Sequence, residues 1–418
     1  MSTSLCNVSE TVTSLSVIEQ SRTKPSMVNA RERAFKDGLR IAFFGHDACE
    51  STVIKRAQAF SENGATVLGA MFKRERKPGQ RRVDCDVIDL GETVDRNYAS
   101  RLPKLIGAMW VLFRQSKRLR QSDVFYARNI DMLLLAWGAK LIANRKAALV
   151  YEVLDVQRVF LGSGLVGKVF RAAERFLLAR TKLLVVSSPK FASEYFEPVQ
   201  NYAGPTFLLE NKICPHQLPT GFEIKAPARP RGPPWKIGWF GTLRCQTSLT
   251  MLAEIADQLG ADVEIELRGR PSREDLTEAD IQAQCATRPN MSYFGPFQSP
   301  QDLPEIYGRV PFSWCFDYLD AGSNSDWLLP NRVYEGGAFE TVCLASETTM
   351  TGQYVAGRQL GHAVPDPVVP NIVAFLRTLD DARYAAMRQA VADKPRADFV
   401  DDEDTARLLQ RFSEFTTT

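Results

Sequence analysis

Glu335, Gly336 and Gly337 are the residues of this 418-residue chain that most directly suggest chemistry. They lie in WLLPNRVYEGGAFETVCLAS, 327–346. There Asn331 reads as an N-cap, Arg332 to Phe339 as a short helix, and the apolar residues beyond as a buried strand. A glycine costs a helix interior about 1 kcal/mol relative to alanine. Two in succession make sense if bare backbone is needed, because a diphosphate can then settle over the positive end of the helix dipole. Glu335 would repel phosphates but can accept two hydrogen bonds from vicinal hydroxyls, such as those of a ribose. The competing explanation is a glycine-softened helix packed tightly on a neighbouring strand, with Glu335 a solvated surface acid.

A second candidate is KIGWFGTLR, which ends a strand with Gly241, Thr242, Leu243 and Arg244 just before a helix that begins near Thr247. A glycine at a strand end lets a ligand approach the backbone, and Arg244 supplies a fork of donors suited to phosphate. The plainer alternative is a surface arginine in an ordinary strand–helix loop. Earlier in the chain, Asp155, Glu152, His46 and Asp47 follow or end apolar runs. A carboxylate such as Asp155 can take a proton from an acceptor hydroxyl, and His46, directly after the first strand, could serve similarly, histidine being a common general acid or base. Each of the four could equally be making a turn or cap bond. The DYLD run from Asp317 to Asp320 has the wrong spacing for a paired-aspartate metal motif, and three histidines make a histidine-rich metal site improbable.

Elements that could position these groups follow a regular alternation. LRIAFFG reads as a buried strand. STVIKRAQAFSENG reads as a helix capped by Ser51 and stopped at Gly64, and ATVLGAMF as the next strand. CDVIDL, SDVFYA, ALVYEVLD and KLLVVSS continue the strands, with helices between them. Strand–helix–strand units of this length imply right-handed crossovers and a parallel sheet. Six prolines in 214–235 interrupt the pattern, and it restarts at KIGWFG. The expected organisation is a disordered polar tail (1–37), an α/β half (38–213), a proline-rich linker (214–235) and a second α/β half (236–400). A helix at 401–418 would pack back across the linker. Ligands in such sheets bind at the carboxyl ends of the strands, which places a cleft between the halves.

Composition narrows the class. A net charge of +3 shows no concentrated basic footprint, which argues against a nucleic-acid partner. Eight scattered cysteines, several inside apolar runs, read as buried thiols in a reducing compartment. The N-terminus has no signal-peptide pattern, and no apolar run reaches membrane-spanning length. A cytoplasmic protein is expected, either free or peripheral on the cytoplasmic face of the inner membrane. RLPKLIGAMWVLFRQSKRLRQ, 101–121, joins apolar Leu105, Met109, Trp110 and Leu112 to Lys104, Arg114, Lys117, Arg118 and Arg120. It suits either an outer helix of the sheet or a contact with an anionic membrane surface.

The stretches KIGWFGTLR, SYFGPF, DLPEIYGRVPFSWCFDY and WLLPNRVYEGGAFETVCLAS, with IAFFG and LVYEVLDV in the first half, resemble family 4 retaining glycosyltransferases of the GT-B fold. The likeness is strongest to bacterial exopolysaccharide transferases of the succinoglycan-assembly type and covers roughly 38–415. It implies two Rossmann-like domains facing across a cleft, with a nucleotide sugar held by the second. Glu335 matches the ribose-binding glutamate, Gly336 and Gly337 the turn under the diphosphate, and Arg244 a phosphate-binding basic residue; Asn331 and Arg332 at the helix start and Gly241 and Thr242 at the strand end are candidates for the same nucleotide site. Phe294 and Gly295 match the segment that contacts the base. The catalytic set would be Asp155, His46 and Arg244, with no metal and no cofactor. The implied reaction moves a hexose from a nucleoside diphosphate sugar to a polyprenyl-diphosphate-linked glycan. Departures are Leu328 where the family usually has a second glutamate, Thr247 near the place of a lysine, and Leu154 where many relatives have histidine. They leave a non-catalytic binding or scaffold protein on the same fold as the main alternative. A sugar-nucleotide epimerase lacks a clear acid–base set here. A nicotinamide oxidoreductase is disfavoured because GHDACE follows the first strand in place of a glycine fingerprint.

Overall fold

The apolar runs fold as two wholly parallel sheets. In the computed structural model, residues 38–73, 81–92, 98–218, 232–272 and 275–416 are described. The polar tail expected to be disordered, and 219–231 of the proline-rich segment, lie outside them. The first sheet comprises β1 (Arg40–Gly45), β2 (Thr66–Lys73), β3 (Asp86–Glu92), β4 (Val124–Arg128), β5 (Ala148–Val153), β6 (Leu183–Val186) and β7 (Thr206–Leu208). Its order is β3-β2-β1-β4-β5-β6-β7. The second comprises β8 (Trp235–Leu243), β9 (Val263–Pro271), β10 (Met291–Tyr293), β11 (Phe312–Trp314), β12 (Val342–Ser346) and β13 (Gly361–Val364), in the order β10-β9-β8-β11-β12-β13. In each sheet the first strand lies inside and the chain winds outward both ways, so helices cover both faces. That is why β1, β4, β5, β11 and β12 are nearly continuous apolar runs.

Several boundaries differ from expectation. Glu50, not Ser51, is the N-cap of the helix Ser51–Glu62, and Pro330, not Asn331, precedes the helix Asn331–Ala338. The preset φ of proline suits it to a helix entrance, which frees Asn331 to be the first helical residue. β8 runs to Leu243, so Gly241 and Thr242 are strand residues, and Trp235, placed in the linker, begins that strand. Gly269, at φ +143°, has no room for a Cβ, which would lie 1.7 Å from the Gly241 carbonyl oxygen. The glycine pair therefore lets β8 and β9 remain paired where they twist most closely together.

The chain closes on itself near its end. Ile213 and Val400 form a parallel bridge. The helix Asp404–Thr416 then lies against Ser51–Glu62, with Phe412 packed 6.3 Å from Phe60 and 6.0 Å from Tyr126, centroid to centroid. Residues 39–418 form one compact unit.

Candidate active site

The carboxyl ends of β8 and β11 meet the start of Asn331–Ala338 at one buried guanidinium. Arg332 Nη1 donates to the Phe240 carbonyl at 3.4 Å and Nη2 to the Phe316 carbonyl at 3.2 Å. Its Nε has no partner among the described residues. Beside it, Arg244 donates through Nε (3.1 Å) and Nη2 (2.9 Å) to Asp317 Oδ2. Ser325 Oγ (2.8 Å) and the Leu319 amide (3.0 Å) donate to the other oxygen of Asp317. Burial alone would raise the Asp317 pKa, but Arg244 and Arg332 outweigh it and hold the carboxyl below its ordinary value. Glu335, half-buried one turn further along the helix, accepts from Tyr307 Oη at 2.9 Å. Burial raises its pKa, opposed by that hydrogen bond and by the charges of Lys55 and Arg332. On the turn after β10, Phe294 is exposed, with the Arg268 guanidinium 4.5 Å over its ring. Gly295 stands at φ +75° and its carbonyl accepts from the Gly269 amide at 2.9 Å.

Asp155 arrives from the first half, two residues beyond β5. It keeps solvent access, yet the bulk of surrounding protein raises its pKa, with Arg244 and a bond from Asn324 opposing. Asn324 is the bridge between the halves. Its Nδ2 lies 3.3 Å from Asp155 Oδ1, and its own Oδ1 accepts from the Val156 amide at 2.9 Å. Around it, Arg158 binds Asp320 and the Leu319 carbonyl, and Ser188 Oγ donates to the Trp327 carbonyl. Leu328, at the position of the absent second glutamate, is buried in the first half's core cluster. The segment 317–328 thus belongs in sequence to the second sheet and docks on the first.

The other first-half candidates are engaged elsewhere. His46 Nε2 lies 2.6 Å from Glu50 Oε2. Burial would raise the Glu50 pKa, but the His46 bond and charge bring it to about 2. His46 therefore serves the entrance of Ser51–Glu62, and no described contact joins it to Asp155. Asp47 accepts from the Cys49 amide at 2.9 Å, a turn bond. Glu152 is fully buried between Arg56 and Arg128.

The reason proposed above for the two glycines does not hold. Both are buried. A Cβ on Gly336 would sit in ordinary contact, 3.4 Å from Ser313 Cβ, whereas one on Gly337 would lie 2.1 Å from Phe399 Cε1. Gly337 is bare so that the returning C-terminal segment can press against this helix, which is the packing explanation. Gly337→Ala should lower stability by about 1–3 kcal/mol. Gly336→Ala should be close to neutral in the same denaturation experiment, and neither should change nucleotide affinity.

Three polar residues of the site escaped the sequence reading, Lys55, Tyr307 and Asn324, and a fourth, Asp317, was weighed only as part of a metal motif. Lys55 Nζ donates to the Asn211 carbonyl at 3.2 Å and feels the charge of Glu335. It lies within STVIKRAQAFSENG, whose pattern shows only a helix and its ends. Asp317 had a usable signal, since it falls three residues past the end of β11, where ligand-facing groups gather. Asn324 lies in AGSNSD, whose small polar residues signalled only a loop.

No family model matches the chain. It is 35% identical over 375 residues to the succinoglycan biosynthesis protein ExoL of Rhizobium meliloti (strain 1021), covering 89% of this chain and 93% of that protein. Among solved structures, sucrose-phosphate synthase from Thermosynechococcus elongatus superposes with a TM-score of 0.66 at 14% identity, over 91% of this chain and 99% of that one. The Anabaena protein HepE, in complex with UDP and glucose, gives 0.62 at 12% identity, over 90% and 100%. WaaG, a glycosyltransferase involved in lipopolysaccharide biosynthesis, gives 0.57 at 14% identity, over 89% and 99%. With two facing parallel sheets whose strand ends carry the site, the chain belongs to the family of the succinoglycan biosynthesis protein ExoL and folds as a GT-B glycosyltransferase.

Proposed function

We infer that the protein is a glycosyltransferase of exopolysaccharide assembly that transfers a hexose, with retention, from a nucleoside diphosphate sugar to a hydroxyl of a polyprenyl-diphosphate-linked glycan on the cytoplasmic face of the membrane. The observation that carries this reading is the row Arg244, Arg332 and Glu335 at the strand ends of the second sheet, with Asp155 brought within the field of Arg244 from the first. Arg332 places its buried charge beneath the leaving diphosphate, and Arg244, more exposed, offers it donors directly. Glu335 accepts from the ribose hydroxyls, and the exposed ring of Phe294 gives the base a surface to stack on. Asp155, oriented by Asn324, takes the hydroxyl proton of the acceptor. The complex of HepE with UDP and glucose supports a nucleotide sugar as donor.

Asp317 and Asp320 are already spent on Arg244, Ser325 and Arg158, so the arginines, rather than a metal, meet the diphosphate charge in this reading. The test is calorimetry with UDP-glucose and the other common nucleotide sugars. One of them should bind, and Glu335→Ala should weaken that binding about tenfold or more, the scale of hydrogen bonds to a charged group. Transfer to a membrane lipid extract should follow and should survive EDTA. Absence of binding to every nucleotide sugar would overturn the assignment. Binding without transfer would favour the scaffold alternative. The anomeric configuration of the product, read by NMR, tests retention.

A further inference from the structure

We propose that a small pocket beside Asp155 receives a second hydroxyl group of the acceptor sugar, next to the one that Asp155 deprotonates, so that Asn129 and Glu174 determine which acceptor is taken. The pocket's role rests on the glycosyl transfer inferred above. It lies at the carboxyl ends of β4 and β5, in the first half. Its polar wall is Asn129, Tyr151, Asp155, Gln157, Glu174 and Tyr195, and the rest of its lining is apolar. Asp155 is exposed, Asn129 and Gln157 are half-buried, and the other three are buried, so the polar wall runs from solvent inward. Its free space is about 10 Å³, enough for one water or one hydroxyl group and too little for a sugar ring.

Glu174 supplies the floor. It comes from the helix Leu165–Leu178, is 2% exposed and has no ion pair among the described residues. Its Oε1 accepts from Tyr151 Oη at 2.9 Å, and its Oε2 from Tyr195 Oη at 2.5 Å and Gln200 Nε2 at 2.6 Å. A carboxylate has about four acceptor positions, so three donors leave Oε1 with one to fill. A buried charge is costly until its hydrogen bonds are made. A hydroxyl entering from the Asp155 side meets that need, whereas a phosphate would be repelled by the same charge. Tyr195 lies in a π-helical turn, Ala192–Phe196, a rare geometry that gathers at functional sites.

Asn129 forms the lip. At φ +69° and ψ 161° it holds a backbone conformation that residues with side chains seldom adopt. Glycine would relieve the strain, yet a side-chain amide stands there. That amide does not cap the helix Ile130–Ala143, which begins at the next residue. A strained residue whose polar group makes no cap bond and faces a pocket is accounted for by a ligand. Neighbouring hydroxyls of one sugar ring are close enough to reach Asp155 and the pocket together.

The test is the rate of transfer to a membrane lipid extract as extract concentration is varied, with nucleotide sugar affinity measured by calorimetry on the same proteins. Asn129→Gly suits the backbone and should melt close to the wild type. It should raise the half-saturating extract concentration about tenfold or more, the scale of hydrogen bonds in a charged site. The donor dissociation constant and the rate at saturating extract should stay within about twofold, the pattern of lost acceptor binding alone. Glu174→Gln, which keeps the shape and removes the charge, should do the same. Asn129→Gly keeps the test valid if the second change disturbs folding. Unchanged half-saturation in both variants would overturn the proposal. So would an Asn129→Gly protein that melts earlier and loses donor affinity in step, the mark of a merely structural role. Donor binding with no transfer by the wild type would fell the underlying assignment, and the pocket's role with it.

Discussion

Replacing Glu152 with alanine is expected to lower folding stability by about 3–5 kcal/mol, the cost of breaking a buried ion pair and leaving charge uncompensated. Its two carboxylate oxygens separately engage Arg56 Nε at 3.1 Å and Arg128 Nε at 2.6 Å, and all three side chains are at most 3% exposed. The arginines do more than neutralise it. Arg128 donates to Thr52 at 2.9 Å, and Arg56 reaches Thr405 of the C-terminal helix at 3.4 Å. Removing the acid therefore strands two cations among β4, β5, the helix Ser51–Glu62 and the returning chain end. Replacing all three residues with apolar ones of similar volume should recover most of the loss, because the desolvation cost vanishes with the charges. Denaturant midpoints of the single and triple variants are the measurement.

The same network predicts a pH dependence. Burial pushes the Glu152 pKa up, but Arg128 and then Arg56 outweigh it, so the folded-state value lies below the ordinary 4.5. A depressed carboxyl contributes stability that is full above the unfolded value and is lost as pH falls through the folded one. The wild-type protein should therefore lose stability in that window below 4.5, and the triple variant should lose less there. Were Glu152 instead an acceptor-side catalytic group, its alanine variant would keep its midpoint and lose turnover.

What was legible in the sequence follows from the range of the forces involved. Parallel strands buried on both faces need unbroken apolar runs, so β1, β4, β5 and β8 stood out and the doubly wound halves followed. β7 and β13, of three and four residues at sheet edges, carry too little pattern to see. The site was legible in the same unequal way. Glu335, Arg332, Arg244 and Asp155 sit where a strand or helix terminus had to place them. The purpose of Gly337 was misread because the side chain that needs its space, Phe399, lies 62 positions further on, and nothing local announces it. Asn324 was missed, and the pairing of Asp317 with Arg244 was not foreseen, for a similar reason. Their partners Asp155 and Arg244 are 169 and 73 positions away; the first pairing is decided by how the halves meet, the second by β8 and β11 lying side by side in one sheet.

Arg244→Ala should leave the fold intact and reduce kcat by about 10²–10³-fold, the usual effect of deleting one preorganised donor to developing charge. The residue begins the turn between β8 and the helix Gln246–Leu259, is 32% exposed, and already has a partner in Asp317. An arginine held by one carboxylate is oriented in advance, and an incoming diphosphate must compete with that carboxylate for the guanidinium. Asp317→Asn therefore gives an informative contrast. Asparagine can still accept from Ser325 and Leu319, so the turn is preserved, but the competing charge is gone. If Arg244 serves the donor, this change should tighten nucleotide sugar binding by roughly five-fold, since a partly exposed ion pair is worth about 1 kcal/mol. The two variants then shift affinity in opposite directions. If Arg244 is instead a strut that only anchors Asp317 and the 317–328 segment, both variants should weaken binding alike and both should melt earlier. Isothermal titration and thermal melting of the pair separate these outcomes, because a strut cannot improve affinity by losing its partner's charge.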